Sequence, residues 1–274
     1  MINSTETQAA GGELGRLLRH WRDLRGKSQN ELSLDTEISQ RHLSFIERGR
    51  SSPSRQTLVA IAQALDIPLR ERNQLFLAAG FAPIYVDEAW NAGEMAAVTR
   101  ALARVLHQHE PFPAVVMDRY WNVLMTNEAA PRFFSAFVDL AARPMPRNML
   151  HLMFDPAGMR PHIANWSSAS KGLLERVRRE AVGHVVDERT RELMDELLAY
   201  PETVESDAPS AEEPSLPVVP LSFVKHGRTL NYFSMVSTVG TPLTIAAQEL
   251  RVECMFPTDE ATEMLHMELM AAAT

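Results

Sequence analysis

The chain has 274 residues, of which 45% are hydrophobic and 23% charged, so it is long enough to bury two hydrophobic cores. Its only cysteine, Cys254, excludes an internal disulfide and a multi-thiolate metal site, which favours a cytoplasmic protein. The absence of a secretory leader and of a long apolar run argues against secretion and membrane insertion. The net charge of −8 is uneven, because residues 1–80 carry 11 Lys and Arg against 9 Asp and Glu. Only this N-terminal part has the basic surplus that a polyanion requires.

The N-terminal part is predicted to be a small helical domain over residues 13–82, preceded by a disordered tail over 1–12. Apolar residues recur at helical spacing in five short segments, 13–25, 29–36, 39–48, 53–65 and 69–79. Ser28 and Glu31 form a capping-box pattern before the second segment, and Ser39 is an N-cap candidate for the third. Gly26 and Gly49 follow the first and third helices, where a left-handed backbone often ends a helix.

The second and third helices are separated by a three-residue turn, which predicts a helix-turn-helix. Leu43 and Ile46 place one face of the third helix in the core. The opposite face then carries Gln40, Arg41, Ser44 and Phe45. Arginine can bond guanine bidentately, glutamine can bond adenine, and an aromatic ring can touch a thymine methyl. This face is therefore predicted to contact bases in the major groove.

Other residues around the turn and the following loop are predicted to contact DNA phosphates. They are Gln29, Arg48, Arg50 and Arg55. Charge and the amides at a helix N-terminus would hold the phosphates and set the register of the protein on the duplex. A plain helical bundle with a solvated basic surface is the alternative. It is less favoured because it does not account for a loop with these arginines directly after a polar helix face.

The segment SQNELSLDTEISQRHLSFIERGRSSPSRQTLVAIAQALDIP resembles the phage-repressor (XRE, Cro/CI-type) helix-turn-helix domain. The resemblance covers residues 14–79 and implies DNA contacts at Gln29, Ser39, Gln40, Arg41 and Phe45, with Ser39 added to the phosphate set. The sequence departs from the family pattern in the turn, where Glu37 stands at a position that is usually glycine. A side chain there is expected to strain the left-handed backbone by about 1 kcal/mol.

A second domain is predicted over residues 94–274, after a linker over 83–93, and the fold class is α+β. A helix over 94–109 precedes a hairpin of two strands, 114–118 and 121–126, joined at Arg119 and Tyr120. Apolar stripes then predict several helices, and the Pro-rich acidic segment 201–215 is expected to be a mobile loop. Three further strands over 218–225, 230–239 and 246–256 and a closing helix over 259–270 complete the domain.

Two segments, PAVVMDRYWNVLMTN at 113–127 and NMLHLMFDPAGMRPHIANW at 148–166, resemble the ligand-binding domain of MmyB-like regulators. The resemblance spans residues 90–257. It implies a PAS-like fold, with a five-stranded antiparallel sheet, helices, and a pocket for a small apolar molecule such as a fatty acid.

Methionine and aromatic side chains of the second domain are candidates for the lining of this pocket. They are Met149, Leu152, Phe154, Trp166, Phe223, Tyr232, Phe233 and Met235, with Arg160 as a candidate for a ligand head group. The alternative for each apolar residue is ordinary core packing, which every domain of this size requires. No catalytic residues, metal site or other cofactor is predicted.

The sequence thus predicts a transcription regulator that binds double-stranded DNA and senses a small apolar ligand. One helix-turn-helix contacts few bases, so a homodimer on a palindromic operator is expected. Two alternatives stay open: a protein-interaction adaptor with a degenerate helix-turn-helix, and an enzyme built on the PAS-like domain. The enzyme is less favoured because no nucleophile elbow, Walker loop, dinucleotide fingerprint or HExxH pair is present.

Overall fold

The computed structural model describes residues 4–181, 187–201, 218 and 220–272. Contacts divide the chain into two units, Met1–Ala89 with Pro242–Gln248, and Trp90–Thr241 with Glu249–Thr274. The first boundary falls inside the predicted linker. The short stretch at 242–248 differs from the expectation, because the sequence assigns it to the second domain. The predicted acidic loop lies outside the described residues from 202 onwards.

Five helices form the first unit, as predicted. They are α1 (Ser4–Leu24), α2 (Gln29–Thr36), α3 (Gln40–Glu47), α4 (Arg55–Ala64) and α5 (Leu69–Ala78). Helix α1 begins at Ser4, so the expectation of a disordered tail over 1–12 is corrected for residues 4–12. Alanine, glutamate and glutamine, which have high intrinsic helix propensity, make up four of these nine residues.

Local capping sets the ends of the short helices, and the structure confirms the predicted caps. The Ser28 hydroxyl accepts a hydrogen bond from the Glu31 amide at 3.1 Å, and the Glu31 carboxylate accepts one from the Ser28 amide at 2.7 Å. Ser39 caps α3 by accepting from the His42 amide. Gly26 and Gly49 have φ values of +63° and +67°, which glycine adopts without steric cost.

The stretch 242–248 carries most of a short helix, α11 (Ile245–Glu249), where the sequence predicts the start of a strand. The Ala247 amide donates to the Thr244 hydroxyl, which satisfies one donor at the beginning of this helix. Within the first unit, the Leu69 amide donates to the Gln248 side chain at 2.8 Å. This bond caps α5, whose N-cap residue is a proline without a capping side chain. The strand prediction over 246–250 is wrong because these interactions favour the helix.

The second unit contains a five-stranded antiparallel sheet with the strand order β2-β1-β5-β4-β3, which confirms the predicted architecture. The strands are β1 (Ala114–Met117), β2 (Val123–Thr126), β3 (Leu221–Lys225), β4 (Arg228–Thr238) and β5 (Arg251–Pro257). The hairpin between β1 and β2 turns on Asp118, whose carboxylate accepts from the amides of Tyr120 and Asn122. The connection is therefore longer than the two residues expected.

Helices accompany this sheet in the second unit. They are α6 (Ala96–Gln108), α7 (Ala129–Ser135), α8 (Met149–Phe154), α9 (Trp166–Glu180), α10 (Glu188–Leu198) and α12 (Glu260–Ala272). The predicted apolar stripes supply the core, with Phe133, Leu174 and Leu197 each at most 3% exposed. His266 on α12 is fully buried, where its Nδ1 pairs with the Tyr232 hydroxyl at 2.7 Å and its Nε2 with the Pro111 carbonyl at 2.9 Å. Burial lowers the pKa of His266, which keeps the ring neutral in this core.

Candidate nucleic-acid interface and ligand cavity

Helix α3 presents the predicted reading face to solvent. Leu43 and Ile46 are 2% and 1% exposed and hold the opposite side of the helix in the core. Gln40 and Arg41 are exposed, and Ser44 and Phe45 are half-buried. The structure therefore brings all four predicted base contacts to one face, with Phe45 and Arg41 packed together. The guanidinium carbon of Arg41 lies 5.4 Å from the centre of the Phe45 ring.

The turn between α2 and α3 has the strained conformation that the sequence predicts. Glu37 has φ +57° and ψ 17°, in the left-handed region that a β-carbon disfavours. The Thr36 hydroxyl donates to the Leu32 carbonyl and helps to end α2 before this residue. The turn is therefore formed despite Glu37, at a conformational cost.

Replacing Glu37 with glycine is expected to stabilise the helix-turn-helix, because glycine adopts positive φ without a steric penalty. We expect a gain of up to about 1 kcal/mol, reduced by the greater freedom of glycine in the unfolded chain. Hydrogen exchange of the amides in α2 and α3 measures the gain. Glu37→Ala is the matched control, since it removes the same carboxylate but keeps the β-carbon; equal protection in both variants would contradict the strain.

The predicted phosphate contacts have different surroundings. Arg48 and Arg50 are exposed on either side of Gly49, and Ser39 is exposed at the N-terminus of α3. Arg55 packs its guanidinium against two rings, 5.9 Å from the centre of Phe76 and 5.4 Å from that of Phe81. The contacts of all these residues with phosphate stay predictions.

The side chain of Gln29 already forms a hydrogen bond within the helix-turn-helix domain. Its side-chain amide donates to the Glu47 carboxylate at 2.9 Å, so one of its two N–H groups is already bonded. Its backbone amide lies in the first turn of α2, where helix amides lack intrahelical partners. Gln29 therefore links the start of α2 to the end of α3, and its contact with phosphate stays a prediction.

The sequence interpretation missed Glu47, which joins α1 to the reading helix. Its carboxylate is buried and accepts two hydrogen bonds from Arg22, at 2.7 and 3.2 Å. Burial opposes ionisation, but the hydrogen bonds from Arg22 and Gln29 outweigh it and hold the pKa of Glu47 below its ordinary value. A β-carbon on Gly15 would lie 2.4 Å from the Glu47 carbonyl oxygen, so α1 approaches α3 closely only because residue 15 is glycine.

The second unit contains a small apolar cavity with a volume of about 20 Å³. It is lined by Pro113, Val115, Trp121, Phe134, Met149, Leu150, Met153, Leu173, Leu221, Ser234, Glu253 and Met255. Leu173, Leu221 and Ser234 also line an open groove of about 510 Å³ between α9 and the strands β3 and β4. The cavity is nearly filled by its own side chains, and it shares three lining residues with a surface groove that has room for a ligand.

Few of the predicted pocket residues line these two spaces. Met149 lines the cavity, and Tyr232 and Phe233 line the groove. Met235 is 57% exposed and lines neither space, whereas the adjacent Ser234 lines both. Its assignment to the pocket is corrected.

The remaining candidates line neither the cavity nor the groove, and three of them belong to the core of the second unit. Leu152, Phe154 and Phe223 are buried in the main hydrophobic cluster, as the alternative of core packing predicts. Trp166 packs edge-on against Phe154 with ring centres 5.0 Å apart, and the Arg160 guanidinium lies 5.5 Å from the Trp166 ring centre. Arg160 lines neither the cavity nor the groove, and its role as a head-group ligand stays a prediction.

A charged cluster, which the sequence interpretation also missed, borders the cavity through Glu253. Arg176 on α9 donates to both oxygens of Glu253 at 2.8 and 2.9 Å and to Glu180 at 2.6 Å. Its guanidinium lies 4.7 Å from the centre of the Trp121 ring. Burial opposes the charge of Arg176, but the carboxylates of Glu253 and Glu180 outweigh it and raise its pKa above the ordinary value.

Comparison with known families gives two matches. Residues 98–269 match the family model described as the MmyB-like transcription regulator ligand binding domain, and residues 18–72 match the helix-turn-helix model. Both resemblances found in the sequence are thereby confirmed. No curated protein matches the chain. Among the described helices, none combines the length and the apolar character needed to cross a membrane.

Proposed function

This chain belongs to the MmyB-like transcription regulators and is a DNA-binding regulator with a ligand-binding domain, and from this premise we propose how it recognises DNA and ligand. Two copies bind a palindromic operator in the cytoplasm, and each inserts α3 into the major groove. Gln40, Arg41, Ser44 and Phe45 contact bases. Gln29, Ser39, Arg48, Arg50 and Arg55 contact phosphates. The observation that carries this proposal is the exposed polar face of α3 on a helix whose other side is buried.

Replacing Arg41 with alanine is expected to lower affinity for the operator about tenfold or more and to relax base preference at one position of each half-site. The operator is obtained by selecting bound duplexes from a random pool with the full chain, and affinity is then measured by fluorescence anisotropy. Arg50→Ala is the matched control. Loss of a phosphate contact weakens binding to all sequences alike, and it lowers the slope of log affinity against log salt concentration by about one.

A protein-interaction adaptor is the second candidate, and the excess of acidic residues in 81–274 favours it. Titration of the wild-type chain with duplex DNA at two salt concentrations separates the candidates. A DNA-binding regulator selects a sequence and binds it less tightly as salt increases. Failure to enrich any sequence would contradict the proposed operator binding and favour the adaptor.

The ligand is proposed to be a small apolar molecule, such as a fatty acid. Methionines at 149, 153 and 255 line the cavity, and flexible thioether side chains can rearrange around an inserted chain. The polar groups of the adjoining groove, including Arg176 and Ser234, would face the end of the ligand that remains near solvent. Ligand binding is proposed to shift the spacing of the two reading helices and thereby to change operator affinity.

Replacing Leu173 with tryptophan is expected to weaken fatty-acid binding about tenfold, because this side chain lines both the groove and the cavity. Native mass spectrometry of the full chain with saturated fatty acids of increasing length measures occupancy. Met235→Leu is the matched control, since Met235 lines neither space and should leave binding unchanged. Equal occupancy in both variants would contradict this site, and no occupancy in the wild type would contradict the ligand class.

A further inference from the structure

Helix α11 crosses the division between the two units. Its residues 245–248 belong to the first unit, and its last residue, Glu249, belongs to the second. The chain also passes between the units at 89–90 and 241–242, and both of these crossings lie in segments without helix or strand. A helix transmits a displacement along its length, whereas an irregular segment absorbs it by rotation about φ and ψ. Of the three crossings, α11 is therefore the one suited to couple the units.

Two hydrogen bonds hold the beginning of α11 within the first unit. The Ile245 amide donates to the Val86 carbonyl at 3.1 Å. The Gln248 side-chain oxygen accepts from the Leu69 amide at 2.8 Å and caps α5. Helix α5 packs against α1 and α4 of the helix-turn-helix domain. A movement of residue 248 therefore changes a bond at the start of a helix that supports this domain.

A buried arginine holds the last residue of α11 within the second unit. Arg119 is 4% exposed, and its guanidinium donates to the Glu249 carboxylate at 2.9 Å and lies 3.0 Å from that of Asp187. Two residues after Glu249, β5 begins at Arg251, which is paired with both β1 and β4. Glu249 is therefore fixed through its side chain and through the backbone that follows it.

The strand that follows α11 also borders the apolar cavity. Glu253 and Met255 of β5 line the cavity, and Glu253 pairs with Arg176 of the charged cluster. Glu180 of that cluster lies 3.6 Å from Arg251, at the beginning of the same strand. A cavity of about 20 Å³ holds little more than one water molecule, so a larger molecule must displace some of its lining. Ligand entry thus acts on the strand that is directly joined to α11.

We infer that α11 couples ligand binding in the cavity to the helix-turn-helix domain, with Glu249 as its anchor in the second unit and Gln248 as its contact in the first. Movement of β5 on ligand entry is carried through Glu249 to the bond between Gln248 and the Leu69 amide, and the position of α5 changes with it. This inference rests on the proposed binding of ligand and operator. It goes beyond that proposal by naming the residues that carry the coupling.

Hydrogen exchange in the full chain, without ligand or DNA, tests the link itself. Arg119→Met removes the partner of Glu249 and should raise the exchange rate of the Leu69 amide about three- to tenfold. In a Gln248→Ala background this amide has already lost its acceptor, so the same substitution should have no further effect on it. Fragmentation by electron transfer before mass spectrometry resolves this single amide.

Arg143→Met is the matched control, because it removes a half-buried arginine from another ion pair of the second unit, with Asp155. Neither of these two residues bonds to α11 among the described residues. An equal change at Leu69 in the Arg119 and Arg143 variants, or no change in either, would overturn the inference. If Arg119→Met does not fold, Glu249→Gln serves as the milder variant, and it should change the exchange of Leu69 in the same direction.

The operator affinity of the full chain, measured with and without palmitic acid, tests the coupling in function. In the wild type the ratio of the two affinities is expected to be about fivefold or more, and Gln248→Ala should reduce it to less than about twofold while native mass spectrometry shows that palmitic acid still binds. Gln248→Glu keeps an acceptor for the Leu69 amide and should retain the wild-type ratio.

The outcomes separate the coupling from the proposed function. A wild-type ratio in a folded Gln248→Ala variant would overturn the inference and leave the binding of operator and ligand intact. If palmitic acid does not change the operator affinity of the wild type, the proposed regulation by a fatty acid is contradicted. The exchange rate of the Leu69 amide then decides the inference by itself.

Discussion

Replacing Arg176 with alanine is expected to destabilise the second unit by about 3–5 kcal/mol, because two carboxylates lose their buried partner. Glu253 has both oxygens bonded to Arg176, and within the described part of the chain Glu180 would keep only a longer contact of 3.6 Å with Arg251. Hydrogen exchange of the α9 and β5 amides, followed by mass spectrometry, measures the loss in the full chain.

The matched control is Arg104→Ala, which removes an exposed arginine from α6 and should change stability by less than about 0.5 kcal/mol. A second variant separates the contribution of the ion pair from that of side-chain packing. Combining Arg176→Met with Glu253→Gln removes both charges at similar volume, and it should recover part of the lost stability. If the α9 and β5 amides of Arg176→Ala were as protected from hydrogen exchange as those of the wild type, the cluster would contribute nothing to the stability of this unit.

Replacing Glu47 with alanine is expected to destabilise the helix-turn-helix by about 3 kcal/mol and to abolish operator binding. The substitution leaves Arg22 without its bidentate partner and Gln29 without its acceptor. Because these bonds hold α1 and α2 to the end of α3, the reading helix should lose its fixed position. Hydrogen exchange of the α1 and α3 amides is the measurement, with Glu13→Ala on the exposed face of α1 as the control.

The pH dependence of stability gives a second test of the Glu47 carboxylate. Its folded pKa is depressed, so its contribution to stability is complete above the ordinary value of 4.5 and is lost as pH falls through the folded pKa. Wild-type protection in α1 and α3 should therefore decrease in that acid range. The Glu47→Gln variant should lack the part of this decrease that comes from protonation of Glu47. The same loss of protection with falling pH in the variant and in the wild type would contradict the role assigned to the Arg22–Glu47 ion pair.

The helix-turn-helix could be predicted in detail because its signals are local. A cap involves residues within one turn, as at Ser28 and Glu31, and the positive φ of Glu37 follows from the geometry of a three-residue connection. The faces of α3 follow from helical periodicity, so the burial of Leu43 fixes the exposure of Arg41. The partial packing of Arg41 on Phe45 is also a local, one-turn contact.

The ligand-binding part shows where prediction from sequence ends. Composition indicates an apolar interior but does not say which side chains border a cavity and which fill the core. The candidates in β4 included Tyr232, Phe233 and Met235, which cannot all share a face because side chains alternate along a strand. Only the strand register and the packing of α9 place Ser234 at the cavity and Met235 in solvent.

The sequence by itself determined the two-part architecture, the helix caps, the exposed face of α3 and the antiparallel strands. The tertiary structure alone decided the Arg22–Glu47 pair, the Arg176–Glu253 pair, the cavity and the place of 242–248 in the first unit. The physical reason is distance along the chain. Caps and periodicity act within a few residues, whereas a buried ion pair forms only where folding brings remote segments together and excludes water.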